Sequence, residues 1–210
     1  MKIRIMGHFS KITTVVFCIL QLLSLSSCAQ ITPQKMPEGE VLIVYLSRTK
    51  NTKTVAEIIQ KKVGGELVSL ELVNPYPENY KEIVAQVDRE NKEGFLPELK
   101  TKINNLDSYN TIFVGFPTWD MQMPPPMKSF LTDNDLSGKT VIPFNTNAGY
   151  GVGSGFDTVE ELCSNSKVLE GYSTKGGIER DGILFVMKGE KLIELQTEVE
   201  EWLQKIGFNI

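Results

Sequence analysis

Five short apolar runs alternate along the chain with five stretches in which apolar residues recur every three to four positions. The runs are Val41–Ser47, Glu66–Val73, Thr111–Pro117, Thr140–Asn145 and Lys167–Ser173. The periodic stretches lie near Thr52–Val63, Asn79–Asn91, Pro125–Thr132, Gly155–Cys163 and Lys191–Ile206. Such alternation allows few solutions, because strands joined through crossover helices run parallel. The first and third runs are apolar throughout, as strands covered on both faces should be. The second sets Val68, Leu70 and Leu72 against Ser69 and Glu71, the pattern of an edge. The expected fold is therefore α/β: a doubly wound, five-stranded parallel sheet of order 2-1-3-4-5 with helices on both faces. In such sheets ligands bind beyond the carboxyl ends of the strands where chain direction switches, here between strands one and three.

Three loops leave the sheet at that edge. The first, Ser47-Arg48-Thr49-Lys50-Asn51-Thr52, joins an apolar strand to a helix marked by Val55, Ile58, Ile59 and Val63. The first N–H groups of a helix lack internal partners and carry partial positive charge. Ser47, Thr49, Asn51 and Thr52 would add hydrogen bonds to a phosphate held there; the other reading is simple helix capping. The loop contains neither G-x-x-x-x-G-K nor G-x-G-x-x-G, so nucleoside-triphosphate and dinucleotide turns are excluded. The second loop, Gly115-Phe116-Pro117-Thr118-Trp119-Asp120-Met121-Gln122-Met123, ends in Pro124-Pro125-Pro126, which holds Trp119 on a stiff turn. The third, Asn145-Thr146-Asn147-Ala148-Gly149-Tyr150-Gly151-Val152-Gly153, offers amides for a heterocycle edge, glycines for close approach and a second aromatic face. Packing or solvent-facing roles for Trp119 and Tyr150 stand beside these readings.

From about Val41 to Gly207 the chain resembles the flavodoxin family. Ser47 to Thr52 matches the family's phosphate loop, Pro117-Thr118-Trp119 its first isoalloxazine loop and Asn145 to Gly151 its second. Pro124-Pro125-Pro126 with Leu136-Ser137-Gly138-Lys139-Thr140 looks like the branch of bacterial flavodoxin-like proteins. The resemblance implies one flavin mononucleotide (FMN), held noncovalently. Its phosphate would meet Ser47, Arg48, Thr49, Lys50, Asn51 and Thr52. Its ring would meet Pro117, Thr118, Trp119 and Asp120 on one side. Asn145, Thr146, Asn147, Ala148, Gly149, Tyr150 and Gly151 would lie on the other. Two departures stand out. Many flavodoxins carry a glycine shortly after the tryptophan, where this chain has Asp120-Met121-Gln122. Residues 175–190 exceed a simple strand-to-helix turn, leaving open a hairpin near the cofactor, a partner surface or structural padding.

The N-terminus reads as a leader. Lys2, Arg4 and Lys11 precede an apolar run, Thr13 to Leu25, too short to span comfortably. It closes on Leu25-Ser26-Ser27-Cys28, which resembles a bacterial lipoprotein signal; an ordinary signal peptide or an uncleaved helix is the alternative. Residues 1–27 are then the signal, 28–39 the lipidated Cys28 and its tether, and 40–210 the domain. Arg4 has no arginine neighbour, which disfavours a twin-arginine route. Lys and Arg number 22 against 26 Asp and Glu; loss of the three leading cations leaves 19, a net charge of −7. That balance argues against nucleic acid and suits a basic or neutral partner. Only Cys163 remains in the domain, on a helical face beside Val159 and Leu162, as a core thiol would be. The single histidine, His8, leaves with the signal, so no catalytic triad and no metal site is expected, and no catalytic residue is assigned.

The leading expectation is an exported, lipid-anchored FMN electron carrier, extracytoplasmic, monomeric, touching the membrane only through its lipid and serving an unknown redox protein. Two other classes remain. One is an FMN-dependent NAD(P)H or quinone oxidoreductase, for which no residue marks a dinucleotide site. The other is a binding module of the same fold that has lost the flavin, since a chain exported unfolded must find FMN afterwards.

Overall fold

The computed structural model describes residues 40–210; the expected signal, Cys28 and the tether lie outside the described residues. The strands are β1 Glu40–Tyr45, β2 Glu66–Ser69, β3 Tyr109–Pro117 and β4 Thr140–Asn147, with β5 Lys167–Val168 and β6 Tyr172–Lys175 sharing the fifth position. All pair in parallel, in the order β2-β1-β3-β4-β5, with β6 also on β4. The helices are α1 Asn51–Val63, α2 Tyr80–Glu93, α3 Pro125–Asp133, α4 Gly155–Leu162 and α5 Glu190–Lys205.

Register explains the two cores. Ile43 lies opposite Phe113, and Phe113 opposite Ile142, so these side chains share one face. That face packs on Val55 and Ile59 of α1 and on Leu195, Val199 and Trp202 of α5. The alternate residues Leu42, Val44, Ile112, Val114 and Phe116 face Met127 and Phe130 of α3 and Val159 of α4. Phe113 is fully buried; truncating such a residue to alanine costs about 3–5 kcal/mol. Gly115 is required by packing, because a Cβ there would lie 2.0 Å from the Phe144 ring. Cys163 is buried, and burial pushes its thiol up to about 11, so it is a core residue rather than a nucleophile.

Two strands are shorter than their sequences suggest, and tertiary hydrogen bonds are the reason. Strand two stops at Ser69 because the chain beyond it turns to residues 99–101: Lys100 N donates to Glu71 O at 2.8 Å, and Glu71 N to Thr101 Oγ1 at 2.8 Å. Leu72 then forms an antiparallel bridge with Leu99. Strand five is interrupted at Leu169-Glu170-Gly171. The Glu170 carbonyl accepts from the Trp202 indole at 2.9 Å, and Gly171 lies against Phe156, where a Cβ would be 2.6 Å from the ring.

Candidate functional site

At the carboxyl edge of the sheet the three loops and residues 176–179 bound a crevice of about 600 Å³, and α2 forms one wall. Its size is that of a small-molecule site.

One end is the start of α1. The first intrahelical bond runs from Thr54 N to Lys50 O at 3.0 Å, so the N–H groups of Asn51, Thr52 and Lys53 have no helical acceptor. Ser47 Oγ takes the Lys53 N–H at 3.2 Å. Lys50, with φ 68°, turns the chain from strand to helix and is exposed. The Thr49 and Thr52 side chains line the crevice, and Thr52 Oγ1 lies 2.8 Å from Thr146 Oγ1. Hydroxyls and free N–H groups at a helix start are complementary to a phosphate.

Two polar residues of this loop are engaged elsewhere. Asn51 is buried; its Nδ2 donates to Thr49 Oγ1 at 2.8 Å and to Leu184 O at 2.7 Å, and its Oδ1 accepts from Val186 N at 3.1 Å. Arg48 Nε donates to Glu179 Oε1 at 2.6 Å, Nη1 to Pro77 O at 2.8 Å and Nη2 to Glu78 O. Residues 175–190 are therefore not padding. They fold back through an Ile178–Ile183 bridge, are fastened to the phosphate loop, and bring Gly176, Gly177 and Glu179 into the crevice wall.

The other end is the Trp119 turn. Trp119 N donates to Gln122 O at 3.2 Å and Gln122 N to Trp119 O at 2.9 Å, with Asp120 and Met121 between them at φ 50° and 55°. Positive φ at both central residues is the geometry of a tight hairpin turn that favours Asn and Gly. A methionine there stores strain of roughly 1–3 kcal/mol, the kind found at functional sites. Trp119 is half-buried and meets Tyr76 edge-on, centroids 5.4 Å apart at 89°. Tyr76 donates to Glu90 Oε2 at 2.5 Å; burial first, then Glu90, raise its hydroxyl pKa above the usual tyrosine range. The Asp120 carboxylate accepts from Asn91 Nδ2 at 3.2 Å and Gln122 Nε2 at 3.4 Å, which ties it to α2. Lys128 nearby has its ammonium pKa lowered by burial, with Asp120 opposing.

The third loop is shaped from within. Asn145 is fully buried; its Nδ2 donates to Phe116 O and to Thr118 Oγ1, each at 3.0 Å, and its Oδ1 accepts from Ser173 Oγ at 3.1 Å. Asn147 Oδ1 accepts from Gly149 N at 2.8 Å and Gly151 N at 3.2 Å. Gly153, at φ 61°, lies beneath the Met121 carbonyl, which accepts from Ser154 N at 3.0 Å. This contact docks the third loop onto the Trp119 turn.

Of the residues singled out from sequence, Arg48, Thr49, Asn51, Thr52, Pro117, Thr118, Trp119, Asp120, Thr146, Asn147 and Ala148 line the crevice. Ser47, Lys50, Asn145, Gly149, Tyr150 and Gly151 do not. Ser47 and Asn145 act from behind as cap and post. Tyr150 departs most from expectation: it is 66% exposed and is not part of the crevice lining. Sequence reading missed the α2 wall of Tyr80, Ile83, Val84, Val87 and Asp88, along with Gly176, Gly177 and Glu179. A signal for α2 was present: Ile83 and Val87 suffice for the core, and Tyr80 and Val84 add a second apolar stripe that stays exposed. The wall runs the length of the crevice, since the carbonyls just before α2 bind Arg48 and Asn91 on its last turn binds Asp120.

A donor-rich helix start at one end, an indole at the other and an apolar wall between them suit a long flat ligand with an anionic tail. The family model described as flavodoxin matches residues 40–188. The chain belongs to the flavodoxin family. Among solved structures it is similar to a candidate flavoprotein from Bacteroides eggerthii DSM 20697 (TM-score 0.66, 23% identity, 81% of this chain and 99% of that one). A candidate flavoprotein from Bacteroides uniformis ATCC 8492 gives a TM-score of 0.65 at 22% identity, over 79% of this chain and 98% of that one. A flavoprotein in complex with FMN from Lactobacillus acidophilus NCFM gives 0.58 at 21% identity, over 69% and 98%. At these identities the likeness is one of fold. A comparison with curated proteins finds no match. Among the described residues no cluster of His, Cys, Asp or Glu is placed to hold a metal ion, and no helix is long and apolar enough to cross a membrane.

Proposed function

We propose that residues 40–210 form an FMN-binding electron-transfer domain, carried outside the cytoplasm on a lipid at Cys28. The observation that carries the reading is the crevice itself. At the switch point of a flavodoxin sheet, the hydroxyls of Thr49 and Thr52 and the free N–H groups of α1 stand at one end, and the half-buried Trp119 at the other. Membership in the flavodoxin family and a neighbour crystallised with FMN support FMN as the cofactor. Bound FMN would supply one- and two-electron redox chemistry. The chain's own residues would bind and orient it: the phosphate at Thr49, Thr52 and the α1 start, and the ring against Trp119 with α2 excluding water along its side. The domain contains no histidine and its only cysteine is buried away from the crevice, which favours electron transfer over covalent or acid–base turnover. Its net negative charge suits a basic or neutral redox partner.

Export rests on the sequence of residues 1–28, with Lys2, Arg4 and Lys11 ahead of an apolar run that ends at Cys28. The deciding measurement is the visible spectrum of purified residues 40–210, with the released cofactor identified by mass. A colourless domain that fails to take up added FMN overturns the flavin reading. Location is tested separately: Cys28→Ser should release the protein from membranes or leave the precursor uncleaved, and a native mature mass without a lipid adduct removes the anchor.

A further inference from the structure

We infer that Lys81, on the first turn of α2, is the cation that selects the phosphate of FMN, and that Arg48, although in the phosphate loop, is a latch. The inference deepens the FMN reading and rests on it.

Arg48 is the obvious candidate and is already occupied. Its Nε, Nη1 and Nη2 are all engaged, by the Glu179 carboxylate at 2.6 Å and by the carbonyls of Pro77 and Glu78. Both side chains of the ion pair are about four-fifths buried, with 21% and 22% exposed. Turning Arg48 toward a phosphate would leave Glu179 without its partner, mostly buried and facing a second negative group. The pair contributes no net charge to the crevice; it joins the phosphate loop to residues 77–78 and 179. Lys50, the other cation of the loop, is exposed and is not part of the crevice wall.

Lys81 is part of that wall. The contacts that occupy Arg48 also place Lys81, because Pro77 and Glu78 lead directly into α2 and bring its first turn beside the phosphate loop. Asn79 Oδ1 caps that turn by accepting from Lys81 N at 2.9 Å, which fixes the backbone. Its ammonium has no hydrogen-bond or ion-pair partner among the described residues. A helix start carries partial positive charge, and a cation is disfavoured there unless an anion offsets it. A phosphate in the cup would be that anion. It would face the start of α1 on one side and Lys81 across the crevice.

The test compares FMN with riboflavin, which share everything except the phosphate. Affinities are measured by flavin fluorescence in the wild type, Lys81→Met, Lys81→Glu and the double variant Arg48→Met/Glu179→Met, at low and high salt. Lys81 is exposed, and an unchanged melting temperature confirms that its variants fold. Lys81→Met should lower the preference for FMN by about threefold to fivefold at low salt, the range of a solvent-exposed charge pair, and by less at high salt. Lys81→Glu should lower it further, and riboflavin affinity should stay unchanged in both. Arg48→Met/Glu179→Met, which removes the latch without changing the net charge, should weaken both flavins alike. An unchanged preference in Lys81→Met overturns the assignment. So does a loss of FMN affinity alone in Arg48→Met/Glu179→Met, because Arg48 would then be the phosphate cation. A wild type with no preference for FMN removes the phosphate reading of the crevice itself.

Discussion

Gly153 joins the two halves of the proposed ring site, and replacing it tests whether Trp119 is positioned by the neighbouring loop. A Cβ at Gly153 would lie 1.9 Å from the Met121 carbonyl oxygen and 2.4 Å from its carbon. These are backbone atoms, so the Trp119 turn or residues 152–154 must move. Gly153→Ala incurs two costs: an L-residue held at φ 61° costs about 1–2 kcal/mol, and loss of the Ser154 N to Met121 O hydrogen bond about 0.5–1.5 kcal/mol. Residual clash puts the sum at roughly 2–4 kcal/mol, which for a domain of this size is a melting shift of roughly 5–15 °C. Gly151→Ala is the control: its φ is 87°, yet a Cβ there meets nothing within 4 Å, so only the backbone cost applies. Thermal unfolding of both variants should place Gly153→Ala well below Gly151→Ala, and only the former should weaken FMN, because only it displaces the Trp119 turn. Equal losses in the two variants would refute the docking contact as the element that positions Trp119.

Three further outcomes follow from the same geometry. Trp119→Ala should weaken FMN by roughly 0.5–1.5 kcal/mol beyond area burial and restore flavin fluorescence, whereas Tyr150→Ala should change neither, since Tyr150 is exposed and outside the crevice lining; a loss with Tyr150→Ala equal to that with Trp119→Ala returns Tyr150 to the ring site. Tyr76 is held protonated in the fold by burial and Glu90, so its contribution is full below the unfolded tyrosine pKa of about 10 and is lost as pH rises above it; denaturation measured from pH 8 to 11 should show a smaller alkaline loss in Tyr76→Phe than in the wild type. FMN at a hundredfold excess over its dissociation constant should stabilise the domain by about 2.7 kcal/mol, and absence of any melting shift with added FMN counts against the site.

The sheet and its loops were legible because their signals are local. Continuous apolarity at Val41–Leu46 and Ile112–Phe116, helical spacing after Thr52 and Pro125, and glycine after strand four each constrain the backbone where they occur. What escaped was decided by partners distant in sequence. The end of β2 depends on Thr101, and the gap between β5 and β6 on the Trp202 indole. Asn51 and Arg48 look like phosphate ligands by position, but Val186 and Leu184 take the amide of one and Glu179 the guanidinium of the other. The direction of Tyr150 was equally indeterminate, since it lies between Gly149 at φ 100° and Gly151 at φ 87°, where chain direction is set by Asn147.

These internal contacts bear on the proposal that the domain is exported and binds its flavin afterwards. A chain that crosses a membrane unfolded must assemble its crevice before it meets FMN, and a site whose buried polar groups waited for the cofactor would oppose folding, at about 1–3 kcal/mol for each unsatisfied group. Among the described residues no buried side-chain nitrogen or oxygen lacks a partner. The Asn51 amide is satisfied by residues 184–186, Asn145 by Phe116, Thr118 and Ser173, and Thr52 by Thr146. What remains for a ligand is at the crevice surface: the N–H groups at the start of α1, the Thr49 hydroxyl, the Lys81 ammonium and the exposed part of Trp119. Water can serve each of these until a flavin arrives. The same substitution of protein contacts for ligand contacts that occupies Asn51 and Arg48, which look like phosphate ligands in the sequence, leaves the domain able to fold first and bind afterwards.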